Sequence, residues 1–320
     1  MKYLIRMWLE TLLFWGMRGL ALPAWLRYSM AQTASEKLDY DTLLALNARY
    51  PRAAKTPGDA EIGQQKKWAG RVLQVVEFFK AEQVLEIGCG YGFASLYMAQ
   101  AGKNVSATDV VDVRYPEVKA SGVQFALGDV CARLPYEDNR FDLVYSINSF
   151  EHFPDPDKAL SEILRVTRPG GIVFLAFGPL YYSAWGLHAS RRLGMPYPQL
   201  LFSEETIQRF VDEKQAEIAH TYDQSSDKSK IGPYLNKYSL QQYRQIFRKH
   251  RDHLREWVYS ETIILNGRGI LWQYPGILKK DAPSFEDLLV GGIKYIAQKK
   301  RGYWGTAAAA SQQNQGNPQK

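Results

Sequence analysis

The stretch Val84–Leu85–Glu86–Ile87–Gly88–Cys89–Gly90–Tyr91–Gly92 constrains the fold more than any other part of the chain. Gln83 to Ile87 is short and mostly apolar, which predicts a buried strand. Three glycines at alternate positions follow, and Phe93 to Ala101 then carries helical spacing. A strand, a Gly-rich turn and a helix form a corner where backbone approaches a ligand that a Cβ would block. A dinucleotide fingerprint needs its third Gly or Ala three residues after the second. Phe93 occupies that position, so the pattern is instead Glu-x-Gly-x-Gly-x-Gly, with an acid two residues before the first glycine.

Strand and helix signals alternate from there. Asn104 to Thr108, Val123 to Leu127, Asp142 to Ile147 and Ile172 to Phe177 read as further strands. Asp155–Pro156 opens a helix whose apolar stripe is Ala159, Leu160, Ile163, Leu164 and Val166. This order predicts an α/β fold: a parallel sheet with helices on both faces. Asp109 ends the second strand about twenty residues after the first glycine, where a carboxylate can accept both hydroxyls of a ribose. Asp112 is the nearby alternative. Asn148–Ser149–Phe150–Glu151–His152–Phe153 leaves the carboxyl end of the fourth strand, where ligands of such sheets bind. His152 is the general-base candidate because imidazole titrates near neutrality. The competing reading is a loop histidine that only shapes the pocket, and Glu151 reads as a structural acceptor.

From Val84 to Phe177 the residues run Glu-x-Gly-x-Gly-x-Gly, then Gly128–Asp129–Val130, Leu134–Pro135…Phe141–Asp142, and Glu151–His152…Asp155–Pro156…Arg168–Pro169–Gly170–Gly171. Four motifs in this order resemble the core of the class I S-adenosylmethionine (SAM)-dependent methyltransferases, of the methyltransferase type 11 kind. The resemblance implies a Rossmann-like seven-stranded sheet whose last two strands pair antiparallel at one edge. It implies SAM as methyl donor. Glu86, Gly88, Cys89, Gly90 and Gly92 would hold its amino-acid end, Asp109 the ribose, and Asp129, with the Val130 backbone beside it, the adenine, while Val110 belongs to the same cofactor set. Asn148 completes the expected cofactor set. The remaining strands of such a sheet are expected at Leu254 to Ile264 and Gly292 to Lys300, with a helix opening at Phe285.

The rest of the chain is organised around that core. Residues 1–60 form a helical extension, 61–301 the methyltransferase domain, and 302–320, rich in Ala, Gln and Asn, a disordered tail. Residues 181–235 read as a lid inserted after strand five, with Tyr181, Tyr182, Trp185 and His188 facing the acceptor. An aromatic mini-core is the other reading of those residues. Tyr3 to Met30 is rich in Leu, Trp, Phe and Met but broken by Arg6, Glu10, Arg18 and Pro23, too interrupted for a spanning helix. Two readings stand. It is an interfacial helix with Trp8, Phe14, Trp15 and Trp25 at the lipid boundary and Arg6, Arg18 and Arg27 near headgroups, or a helix packed on protein.

Two cysteines make no disulfide framework and point to a reducing, cytoplasmic setting, peripheral on the inner face of a membrane if the first helix binds lipid. The formal net charge is +7, but no nucleic-acid module accompanies it, and runs such as Lys228 to Arg255 read as solvated faces. No His/Asp cluster has ligand spacing, so no metal is expected. The expected activity is methyl transfer from SAM to a small-molecule, lipid or glycan acceptor, at oxygen. The alternative is a methyltransferase-like scaffold of a membrane complex that has lost catalysis.

Overall fold

The computed structural model describes residues 21–34, 36–50, 57–189, 193–218 and 235–301. Trp8, Phe14, Trp15, Arg6, Arg18 and the tail 302–320 lie outside them. In chain order the elements before the sheet are α1 (Leu22–Met30), α2 (Tyr40–Arg49) and α3 (Pro57–Phe79). The sheet region comprises β1 (Gln83–Ile87), α4 (Phe93–Gln100), β2 (Asn104–Asp109), α5 (Pro116–Lys119), β3 (Gln124–Leu127) and β4 (Phe141–Ile147). A single 3-10 turn, Phe150–His152, then leads to α6 (Pro156–Val166) and β5 (Thr167–Phe177). The remainder is α7 (Pro198–Leu201), α8 (Glu204–Ile218), α9 (Leu240–His250), β6 (Leu254–Ile263), α10 (Arg268–Gln273), α11 (Pro275–Asp281), α12 (Phe285–Leu289) and β7 (Val290–Lys299).

The seven strands run in the order β3-β2-β1-β4-β5-β7-β6. The first five pair in parallel and β7 lies antiparallel between β5 and β6. This is the sheet expected from the sequence. Its two faces alternate residue by residue, as a pleat requires. On β5, Ile172, Phe174 and Ala176 join the cluster under α3 and α4, while Val173, Leu175 and Phe177 join the cluster under α6. Strand order reverses between β1 and β4, so the crevice for a ligand opens at the carboxyl ends of those strands.

α6 shows how local chemistry fixes the site's far wall. Asp155 caps it by accepting from Lys158 N at 3.1 Å, and its apolar stripe is buried as predicted. Glu162 on the same helix accepts from Leu134 N at 2.6 Å, and Arg165 bridges Glu162 and Asp138, each at 2.6 Å, while donating to the carbonyls of Leu134 and Tyr136. This network ties the Leu134–Arg140 loop to α6. Arg165→Ala strands the buried Glu162 carboxylate, and we expect a loss of about 3 kcal/mol in urea unfolding.

Several basic residues prove structural rather than solvated. Arg244 pairs with Glu261 at 2.7 Å and with Glu286 at 2.8 Å. Lys299, 1% exposed, donates to Asn139 and to the carbonyls of Leu164 and Thr167. α1 packs Ala21, Ala24 and Tyr28 inward against α10 and α11, with the Tyr28 ring 5.1 Å from that of Phe285. Its other face leaves Leu22, Trp25, Leu26 and Met30 exposed near Trp272, over which Arg27 stacks at 4.7 Å. Among the described residues no helix is long and apolar enough to cross a membrane.

Candidate active site

β1 delivers Glu86 and Ile87 to the crevice, and the glycine loop turns there. Gly88 has φ +71°, and a Cβ on it would stand 2.5 Å from Ser149 Cβ and Oγ. Ser149 Oγ lies 3.0 Å from Gly88 O, to which it donates, so the loop and the end of β4 are in contact. Gly90, at φ +50°, has nothing within 4 Å of its Cβ position and leaves that side open. Gly92 behaves differently. It caps α4 at φ +79°, where a Cβ would meet Val118, and it does not line the cavity.

The cavity is about 580 Å³, within the ordinary range of small-molecule sites. Its walls include Glu86, Gly88, Cys89, Gly90, Asp109, Val110, Asp129, Val130, Asn148 and His152, so every expected cofactor residue except Gly92 converges there. Asp109 holds the loop: one carboxylate oxygen accepts from Gly90 N at 2.8 Å, the other from Val110 N at 2.7 Å. Each oxygen retains a lone pair for a hydroxyl. Asp129 accepts from Cys131 N at 2.8 Å and keeps its second oxygen for another donor. Val110 is exposed at the mouth and offers an apolar face. Asp112 is bound elsewhere. Arg114 grips it at 2.9 and 3.0 Å and holds its carboxyl down at about 2, so it is no alternative ligand.

Glu86 is buried and accepts from Ser95 of α4. Burial pushes its pKa up to about 7 despite that bond. Cys89 is also pushed up, by burial and then by the Glu86 charge, and is inert as a nucleophile. At the other end of the cavity, His152 Nε2 lies 4.0 Å from Glu151 Oε1. Glu151 is 2% exposed, accepts from Gly178 N at 3.1 Å, and is pushed up to about 8 by burial.

The segment after β5 departs from the sequence expectation. Tyr181, Tyr182 and Trp185 do not line the cavity. They pack on the apolar cluster beneath α6 and the insert, and Tyr181 faces a second hollow beside Phe202 and Lys237. Of that group only His188 approaches, its ring edge-on to His152 with centroids 4.9 Å apart. Its Nε2 lies 2.7 Å from Pro179 O. Desolvation, then the charge of His152, push His188 down to about 4 although the residue keeps an exposed portion. Gly178, at φ +138°, passes close against β7 as the insert begins. A Cβ there would stand 2.3 Å from Gly291 O.

α3 covers the cavity instead, through Gln64, Gln65 and Trp68. Its helical stripe announces the buried face, Val72, Val75 and Val76, and says nothing of a polar pair one or two turns earlier. Gln65 Oε1 is buried with no hydrogen-bond partner among the described residues and lines the same cavity. A buried acceptor left open in this way suits a ligand that donates to it.

Residues 85–175 match the family model of a methyltransferase domain. A demethylmenaquinone methyltransferase of Renibacterium salmoninarum is 33% identical over 137 residues, which cover 40% of this chain and 57% of that protein. A malonyl-[acyl-carrier protein] O-methyltransferase of Pectobacterium atrosepticum is 33% identical over 114 residues, 35% of this chain and 45% of that protein. A tocopherol O-methyltransferase of Arabidopsis thaliana is 32% identical over 123 residues, 36% of this chain and 35% of that protein. The chain thus spans about half or less of the length of the curated relatives it matches.

Proposed function

We propose, from the match of residues 85–175 to a methyltransferase domain, that the chain is a class I SAM-dependent methyltransferase and transfers the SAM methyl group to an oxygen of a small-molecule or lipid acceptor. The observation that carries this reading is the convergence of the glycine loop, Asp109, Asp129 and His152 on one cavity. The residues suit the donor. Two acids face a molecule rich in hydroxyl and amine donors, Glu86 lies where a cationic amino-acid end gains most, and Val110 gives the adenine an apolar face. SAM supplies a methyl carbon already activated by its sulfonium.

What the chain adds is position. Asp109 fixes the loop through Gly90 N while accepting from the ribose, so one carboxylate sets both cradle and ligand. Gln65 and Trp68 of α3 shield the donor from water. His152 stands at the end of the cavity where the acceptor oxygen meets the methyl carbon. Holding nucleophile, carbon and sulfur in line supplies most of the acceleration in such a transfer. The named relatives act on demethylmenaquinone, malonyl-[acyl-carrier protein] and tocopherol.

The test is transfer of isotopic methyl from SAM in a native extract, with partition into lipid, aqueous, protein and nucleic-acid fractions. Label in the lipid or aqueous small-molecule fraction is expected. Bound SAM with no label in any fraction would favour the scaffold alternative. The exposed face of α1 supports contact with a membrane surface at the acceptor's source. Trp25→Ser with Leu26→Ser removes two large apolar groups, each worth roughly 1.5–3 kcal/mol on burial. We expect at least tenfold weaker sedimentation with vesicles containing anionic lipid. Unchanged sedimentation, or none by the parent protein, rules the contact out.

A further inference from the structure

We propose that Glu151, His152 and His188 bind a divalent transition-metal ion at the acceptor end of the cavity. One ligand atom from each lies within 4.8 Å of the other two. The three come from two places: Glu151 and His152 from the turn after β4, and His188 from the segment after β5. The fold assembles the set, with His188 brought back edge-on to His152.

Three features give the cluster the chemistry of a site. Glu151 is 2% exposed, and its Oε2 has no hydrogen-bond partner among the described residues. Its other oxygen accepts from Gly178 N, which fixes the carboxyl plane. A buried carboxylate oxygen left open is costly, and a cation satisfies it. His188 Nε2 is committed to Pro179 O at 2.7 Å. Donating that N–H to a backbone carbonyl fixes the tautomer and leaves Nδ1 its lone pair, the arrangement that orients histidine ligands in metal sites. Two imidazoles and one carboxylate favour zinc, manganese or iron(II) over calcium or magnesium, which take oxygen sets. Ligand atoms about 2.1 Å from a common ion stand roughly 3–3.5 Å apart, so the cluster closes by about 1 Å on loading. Side-chain rotation of the half-exposed His152 provides this movement.

Three protein ligands leave coordination positions open, as in catalytic rather than structural sites. His152 lines the SAM cavity, so an open position faces the reacting methyl. This use of the site rests on the methyltransferase reading. An acceptor hydroxyl bound to the ion loses its proton to solvent at a lowered pKa. The resulting oxygen donates an electron pair to the methyl carbon, an O–CH3 bond forms, and the S–CH3 bond breaks. Sulfur keeps that bonding pair, becoming the neutral thioether of S-adenosylhomocysteine. No electron is gained or lost overall. His152 then holds the ion that ionises the acceptor, rather than taking the proton itself.

The experiment uses the full chain, stripped with a chelator and titrated separately with Zn2+ by calorimetry and with Mn2+ by electron paramagnetic resonance. Labelled SAM binding is measured on the same samples. Saturation at one ion per chain is expected for at least one of the two metals. Glu151→Gln and His188→Ala should each weaken it at least tenfold, with SAM affinity changed less than threefold. His152→Gln, at a half-exposed position, serves as the third variant if the buried Glu151→Gln change unfolds the chain by circular dichroism. Absence of saturable binding for both ions overturns the site, as does equal binding by the parent and all folded variants. A chain that binds the ion but not SAM keeps the metal site and loses the methyltransferase reading. A chain that binds SAM but no ion does the reverse.

Discussion

Asp109→Ala is expected to weaken SAM binding about 100-fold, or ~3 kcal/mol, with the fold retained. The carboxylate does two things at once. It accepts from Gly90 N and Val110 N, which holds the glycine loop against the end of β2, and it remains the acceptor for the ribose. Alanine removes both. The Gly90 loop is then free to leave the geometry that the ligand needs, and the ribose hydroxyls lose their partner. Asp109→Asn separates the two roles. It keeps one acceptor oxygen but presents an N–H at the other, so one of the two backbone amides faces a donor. An intermediate loss of about tenfold follows. Calorimetric titration with SAM, alongside thermal unfolding, checks both variants. Wild-type affinity in Asp109→Ala would remove Asp109 from the ligand's contacts and leave it as a turn residue.

The same residue shows why the core of this site was legible in the sequence. A strand end, a glycine turn and an acid after the next strand are local patterns, and the parallel sheet places them together without needing any distant contact. Alternating strand and helix signals announce the parallel sheet, and the resemblance announces its antiparallel edge, whereas the strand order and the crevice between β1 and β4 are seen only in the fold. What the sequence hid was side-to-side placement. The aromatic run Tyr181, Tyr182, Trp185 announces burial, but composition does not say against what, and the three pack on the apolar cluster that includes α6 rather than on the cavity. Gln64 and Gln65 look like solvated helix positions, yet both line the cavity. His188 meets His152 only because the chain doubles back. α10 and α11 carry Gly269, Pro275 and Gly276 at their starts, breakers that hide a helix in the sequence although they sit at helix entries rather than interiors.

SAM affinity is expected to rise with pH up to about pH 7 and then level off. Glu86 sets this. Burial raises its pKa from an ordinary 4.5 to about 7, with Ser95 as its hydrogen-bond partner. Below pH 7 the carboxyl of the free protein carries a proton. A cationic ligand end beside it favours the carboxylate, so binding releases that proton and becomes up to tenfold tighter for each unit by which the pH rises toward 7. Above 7 the carboxylate is already ionised and nothing is released. Stability runs the other way in the free protein. Between pH 4.5 and 7 the unfolded chain gives up this proton while the folded chain keeps it, so folding loses at most ~3 kcal/mol as pH rises through that window. Glu86→Gln should therefore flatten the affinity profile and unfold at higher urea than the parent at pH 7.5, with the gap closing toward pH 4.5. Calorimetry in two buffers of different ionisation enthalpy counts the released proton directly. A parent protein that binds SAM equally well at pH 5.5 and 7.5, releasing none, would place the cationic end of the ligand away from Glu86 and leave that acid a strut between β1 and α4.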